Sequence, residues 1–291
     1  MTVVAIGFFD GVHLGHRQIL EGAEIAVTFR NHPLTVLNAA KVPRLIMSCE
    51  DRVAAIKACG VREVVALDFT PAVASQSPEE FLSYLQLQLQ TPTLLLRCGA
   101  NWRFGKGGVG NPDWLREHGV AVEVVAAVDH EGSPISSTRI RECLLRGEIA
   151  AANAMMGRRF RVMGNRESGK GEGRKLGYPT INLTLSTSAS SLHLPLGVYQ
   201  VAVGGHRAIA NYGYAPTFGE RAWKEPVLEV HFLDKIDDLP LSASTSSLDL
   251  ISVEFVKFIR PERKFASLAE LQAQIAADIA DSASLLSSDH S

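Results

Sequence analysis

The way the chain begins constrains its fold more than any other feature. Residues 3–6 (VVAI) form an uninterrupted apolar run that passes directly into GFFDGVHLGH, residues 7–16, with glycines at 7, 11 and 15 and histidines at 13 and 16. A continuously apolar run reads as a strand buried on both faces, the kind found in parallel sheets. Glycines at the carboxyl end of such a strand let the backbone approach a ligand, just before a helix opens with free N–H groups. Further runs rich in Val, Ile and Leu lie at 25–29, 63–67, 93–97 and 122–128, with helical patterns at 50–58 and 78–88 between them. Pro78 suits a first helical position, and Glu79 and Glu80 suit the first turn. Strands alternating with helices predict a parallel sheet covered on both faces. Only 13 residues, 11–23, separate the first two strands, close to the ~10–12 that a crossover requires.

After Arg158 the rhythm changes. Alternating segments at 198–203 (VYQVAV) and 228–233 (LEVHFL), and a run at 251–259, read as antiparallel strands. Serine-rich stretches at 186–191 and 242–247 read as loops. Leu268, Leu271, Ile275 and Ile279 fall on one stripe of a closing helix at 268–279. An α/β half followed by a β half divides the 291 residues into two domains, 1–156 and 157–291.

A formal charge of −2 offers no general field for nucleic acid or a membrane surface. Any bound phosphate must therefore meet local donors. No apolar run approaches the ~20 residues of a membrane helix, and the apolar run at 2–6 is too short for the h-region of a leader and passes into glycines. Cys49, Cys59, Cys98 and Cys143 are scattered without a CxxC pair, which fits reduced thiols better than a disulfide framework or a zinc site. A cytoplasmic protein is expected, with neither nucleic acid nor membrane as partner. The sequence leaves its oligomeric state unknown.

Two histidines at i, i+3 beside a first strand can donate to phosphate oxygens as charge shifts during a displacement. As an isolated HxxH pair they could equally be metal ligands or polar turn residues, although zinc would want more ligands nearby. The surrounding residues add to this. GFFDGVHLGH resembles the HxGH signature of the nucleotidyltransferase superfamily, in the form carried by bacterial bifunctional riboflavin kinase/FMN adenylyltransferases, the FAD synthetases. TFRNHP (28–33) is similar to that family's TFxPHP, CGANWRFGKGGVG (98–110) to its GxDFRFGxxRxG loop, and ISSTRIR (135–141) to the segment ending its first domain. The resemblance implies a Rossmann-like first domain that binds ATP through Gly7, Phe9, Gly11, His13, His16, Asn101, Ser137, Thr138 and Arg139. His13 and His16 would be its catalytic pair.

The resemblance continues through the second half. GNRESGKG (164–171) imitates a P-loop, but Gly171 stands where a Ser or Thr should hold magnesium, so a Walker A site is rejected. Against the flavokinase domain, Gly169 to Asn182 supply GxxxGRxLGxPTxN without a gap. GVYQVAV, ANYGYAPTF, LEVHFLD and IRPERKFASLAELQAQIAADI follow in family order. This implies a small antiparallel β-barrel whose Gly169, Gly173, Arg174, Thr180 and Asn182 bind ATP. Thr180 and Asn182 would hold Mg²⁺, and Glu229 would be the catalytic base. Taken alone, Glu229 reads as a solvent-facing strand residue, since Leu228 and Val230 alternate with it. The implied chemistry is phosphorylation of riboflavin to FMN, then adenylylation of FMN to FAD, with ATP as co-substrate of both. The chain departs from the family pattern at Asn31, Asn101 and Gly108, and in a short first helix. The alternatives are thus a riboflavin kinase with an impaired adenylyltransferase domain, and an inactive flavin-binding regulator.

Overall fold

The computed structural model describes residues 1–91, 94–167, 180–185, 194–214, 226–233, 250–263, 270, 273, 274 and 277. The chain separates into two compact units. One holds Met1–Arg141 and Met155–Gly157; the other holds Glu142–Ala154 and the described residues from Arg158 onward.

In the first unit the chain runs β1 (Thr2–Ile6), α1 (Leu14–Leu20), β2 (Ile25–Phe29), α2 (Leu34–Leu37), α3 (Cys49–Lys57) and β3 (Glu63–Leu67). It continues through α4 (Pro71–Ser75), α5 (Pro78–Leu89), β4 (Leu94–Gly99), α6 (Pro112–Glu117) and β5 (Val122–Val125). The five strands make one parallel sheet in the order β3-β2-β1-β4-β5. Successive residues of each strand point to opposite faces, and both faces are covered. Val4, Ile6, Val27 and Leu96 pack with Phe81, Leu85 and Leu115 of α5 and α6. On the other face, Ala5 and Ala26 lie with Leu20 and Ile56 of α1 and α3. The 13-residue connection suffices because α1 has only seven residues, about two turns. The fifth strand stops at Val125, short of its apolar run, because the chain turns into a hairpin of β6 (Asp129–His130) and β7 (Ser133–Pro134). There the Val128 carbonyl accepts the Ile135 N–H.

Helices α7 (Ser137–Leu145) and α8 (Ile149–Met156) precede six strands: β8 (Phe160–Glu167), β9 (Thr180–Leu185), β10 (Gly197–Val203), β11 (His206–Gly213), β12 (Val227–Phe232) and β13 (Leu250–Pro261). These strands close an antiparallel barrel in the order β10-β11-β12-β9-β8-β13, so no strand is left with an unpaired edge. Leu183, Tyr199, Leu228, Val230, Val253 and Phe255 fill its interior. Asn153 ties the second unit's helical residues to the barrel: its amide donates to the Phe255 carbonyl at 2.9 Å and its Oδ1 accepts the Phe160 N–H. The expected C-terminal helix lies mostly outside the described residues; those described at 270, 273, 274 and 277 are helical.

Candidate active sites

A parallel sheet opens a crevice where successive connections leave a central strand in opposite directions. Here that point lies between β1 and β4, which are neighbours in the sheet although β2 and β3 separate them in the chain. GFFDGVHLGH leaves the carboxyl end of β1, and the loop containing Asn101 leaves that of β4. The sheet order alone brings these two motifs together.

The loop after β1 is strained. Phe9, Gly11 and Val12 have φ of 57°, 85° and 40°, a region that costs a non-glycine residue on the order of 1–3 kcal/mol. Burial of Phe9 and Val12, each at most 2 % exposed, holds the turn in place. A Cβ on Gly7 would lie 3.0 Å from the Phe9 ring, and one on Gly11 2.9 Å from Ile46 Cδ1. Gly15 is needed for another reason: its Cβ would meet the His13 ring at 3.3 Å. That space lets His13 and His16 stack, centroids 3.5 Å apart and planes within 16°, with the Phe9 ring edge-on to His16.

His13 caps α1 by accepting the His16 N–H at Nδ1, 3.2 Å away. The ring proton therefore belongs on Nε2. Burial pushes the His13 imidazole down to about 4. Burial, then the neighbouring His13, holds His16 well below the usual histidine range. At neutral pH both rings are uncharged N–H donors, able to bond an anionic oxygen without first losing a proton.

Asp10 is the node of the site. Only 3 % exposed, its carboxylate accepts the Ile46 N–H at 3.0 Å and pairs with Arg141 Nη1 at 2.9 Å. Burial raises its pKa, while the Ile46 N–H and Arg141 pull it back. The Ser137 hydroxyl donates to the Asp10 carbonyl at 2.8 Å, and Arg141 Nη2 reaches Thr138 Oγ1 at 3.2 Å. Ser137 and Thr138 thus join the histidine loop at the entry of α7. Arg139 turns elsewhere: its Nη1 donates to the carbonyls of His130 and Ser133 in the β6–β7 hairpin. Asn101 is exposed in the turn after β4.

Two residues of TFRNHP complete this region. His32 accepts the Leu34 N–H at Nδ1, and burial, then Arg141 and Arg52, hold its imidazole at about 4. Asn31 exchanges two hydrogen bonds of 2.9 Å with the backbone of Phe69, a pairing that proline could not make. Nothing in the sequence singles out Asp10, His32 or Arg141 individually; the signal for each lies inside GFFDGVHLGH, TFRNHP and ISSTRIR.

In the barrel, Glu229 of β12 pairs in register with Asn211 of β11 and with Asn182 of β9. Leu228, Val230 and Phe232 point inward, so Glu229 and His231 face out, as Asn182 does between buried Ile181 and Leu183. Asn211, Glu229 and Asn182 therefore form one row of polar residues across three strands. His231 pairs in register with Thr180, and its Nε2 lies 3.8 Å from Glu229 Oε1. Burial lowers the His231 pKa against the pull of Glu229. A half-buried carboxylate beside an amide and an imidazole can accept a hydroxyl proton. Gly169, Gly173 and Arg174 lie outside the described residues.

Comparison with known proteins assigns both halves. Residues 1–139 match the FAD synthetase family and residues 156–286 the riboflavin kinase family. A bifunctional riboflavin kinase/FMN adenylyltransferase of Bacillus subtilis is 33% identical, the match covering 95% of this chain and 90% of that protein. Its Escherichia coli counterpart is 32% identical over the same shares. A crystal structure described as a macrolide-efflux protein from Streptococcus pneumoniae superposes with a TM-score of 0.78 at 28% identity, covering 95% of this chain and 92% of that one. Among the described residues of the present chain no helix is long and apolar enough to cross a membrane. With both halves matched, and relatives aligned over nine-tenths of their own length, the chain belongs to the bifunctional riboflavin kinase/FMN adenylyltransferase family.

Proposed function

We propose that the chain carries out both reactions of its family. Residues 157–291 transfer the γ-phosphoryl group of ATP to the ribityl 5′-hydroxyl of riboflavin, giving FMN and ADP. Residues 1–156 then transfer AMP from a second ATP to FMN. A phosphate oxygen of FMN bonds to the α-phosphorus, the bond from that phosphorus to the bridging oxygen breaks, and pyrophosphate leaves with FAD as the other product. The observation that carries this reading is the Asp10 node, which binds the first motif of the unit to its last.

In adenylyl transfer, His13 and His16 donate neutral N–H groups to the ATP phosphates as charge builds on the leaving pyrophosphate. Gly7, Phe9 and Gly11 shape the backbone around the nucleotide. Ser137, Thr138 and Arg141 add donors at the entry of α7, while Arg139 braces the adjacent hairpin and Asn101 faces the base. In phosphorylation, Glu229 takes the proton of the attacking hydroxyl, and Gly169, Gly173 and Arg174 contribute to ATP binding, as the family resemblance implies. Thr180 and Asn182 would hold Mg²⁺, for which the oxygen donors of the Asn182–Glu229 row are chemically suited. When bound, that ion neutralises phosphate charge. The scattered spacing of Cys49, Cys59, Cys98 and Cys143, without a CxxC pair, and burial that pushes the Cys98 thiol up to about 11 support a reducing, cytoplasmic setting.

The test incubates the purified protein with Mg²⁺-ATP and either riboflavin or FMN, and separates products chromatographically. The expected products are FMN with ADP from the first tube, and FAD with pyrophosphate from the second. FMN without FAD would leave a kinase with an impaired first unit. Flavin binding without either product would leave a regulator.

A further inference from the structure

Arg52 is the largest fully buried side chain among the described residues, with none of its surface exposed. Its segment, CEDRVAAIK, is α3, in which the neighbouring charges Glu50, Asp51 and Lys57 behave as expected of a solvated helix. A cation is costly to bury without a partner. Among the described residues no carboxylate forms an ion pair with Arg52, and its buried Nε and Nη1 have no hydrogen-bond partner. Burial accordingly lowers its pKa, with Cys49 and Asp10 opposing the shift.

What Arg52 does touch lies beneath the nucleotide crevice. Its Nη2 donates to the carbonyl of Phe29 and, at 3.4 Å, to that of Arg30, where β2 ends and the chain enters Asn31 and His32. Its guanidinium carbon sits 4.1 Å from the centre of the Phe8 ring. Phe8 meets the His32 ring edge-on at 4.7 Å, and its carbonyl accepts the buried Thr28 hydroxyl. One side chain therefore grips the ends of both β1 and β2. Lysine could supply the charge but neither the plane for Phe8 nor the fork.

We propose that Arg52 is a positioning residue for adenylyl transfer, fixing Phe8 and His32 at the crevice by holding the end of β2 and the face of the Phe8 ring. The inference rests on the reading that the first unit adenylylates FMN. A residue that merely fills the core would lose activity only as the protein loses its fold. A positioning residue loses activity while the fold survives, and removing an unpaired buried charge need not destabilise the chain.

The experiment compares the full-length protein with Arg52→Met and Arg52→Lys. Arg52→Met is expected to remain folded by thermal denaturation and to phosphorylate riboflavin normally. Its kcat/KM for FAD formation is expected to fall at least tenfold, with Arg52→Lys recovering part of the loss. By NMR, the His32 pKa should rise in Arg52→Met, since Arg52, after burial and Arg141, is one of the causes that lower it. FAD formation by Arg52→Met within twofold of the unaltered protein would overturn the inference. So would losses in both variants that only track the folded fraction. No FAD from the unaltered protein would instead overturn the adenylyltransferase reading, and this inference with it.

Discussion

The two candidate sites achieve their order by opposite means. The first is a loop site, held by strained backbone at Phe9 and Val12 and by the buried Asp10–Arg141 pair, whose partners lie 131 residues apart. The second is a sheet site, in which Asn211, Glu229 and Asn182 are neighbours because three strands share a register. Loop sites concentrate their dependence in a few contacts between distant segments. Sheet sites spread it over a ladder of backbone hydrogen bonds, so that a single side chain carries chemistry and little of the architecture. One substitution should therefore do different things in the two units.

Glu229→Gln should have the largest effect of all. Losing the proposed base should reduce riboflavin phosphorylation by about 100-fold to 10,000-fold, while FMN is still converted to FAD and the thermal midpoint stays near that of the unaltered protein. A similar loss of FAD formation would break the separation between the sites. Asp10→Asn comes next. The amide can still accept the Ile46 N–H but cannot pair with Arg141, so FAD formation should drop about 100-fold, accompanied by destabilisation and with phosphorylation retained. Steady-state assays of both reactions on each variant would decide the comparison.

The third prediction concerns pH. The unfolded chain protonates His13 near 6.5, the folded chain only at about 4. Between these values the unfolded state holds more protons, so stability falls as pH drops through this window and is fully present above 6.5. For His13, only 5 % exposed, the loss by pH 4 is on the order of 3 kcal/mol. Denaturant unfolding of the unaltered protein and His13→Gln across this range should converge as pH falls. Parallel curves would mean that His13 is not held neutral. The smallest effect is expected from Gly11→Ala, where a positive φ and the Ile46 contact should cost about 1–2 kcal/mol. The cost should show as a lower thermal midpoint, with phosphorylation unaffected.

Much of the architecture was legible because burial writes itself into apolar periodicity. The runs at 25–29 and 63–67 became β2 and β3 with the same bounds, and the three β-half segments became β10, β12 and β13. The barrel's register was not legible: which strand stands beside Glu229 depends on pairings between distant segments, and alternation alone fixes only the face. In ISSTRIR, both arginines were visible, yet nothing in the string distinguishes them. Two positions apart on a helix they point about 200° from each other, so only Arg141 can reach Asp10 while Arg139 turns to the hairpin. Arg52 was hidden for a related reason. A charged residue in a helix reads as surface, and only packing beneath Phe8 places it in the core. Short elements such as α2 and the β6–β7 hairpin carry too few residues for any period to register.

The span between Asp10 and Arg141 also sets a schedule for biosynthesis. The histidine loop leaves the ribosome before β2, β3, β4 and β5 are made, whereas its arginine partner follows only after all of them. A nascent chain therefore displays the histidine motif long before it owns the Asp10–Arg141 pair. Ordered chemistry in this unit arrives late and all at once, when α7 emerges and closes the circuit.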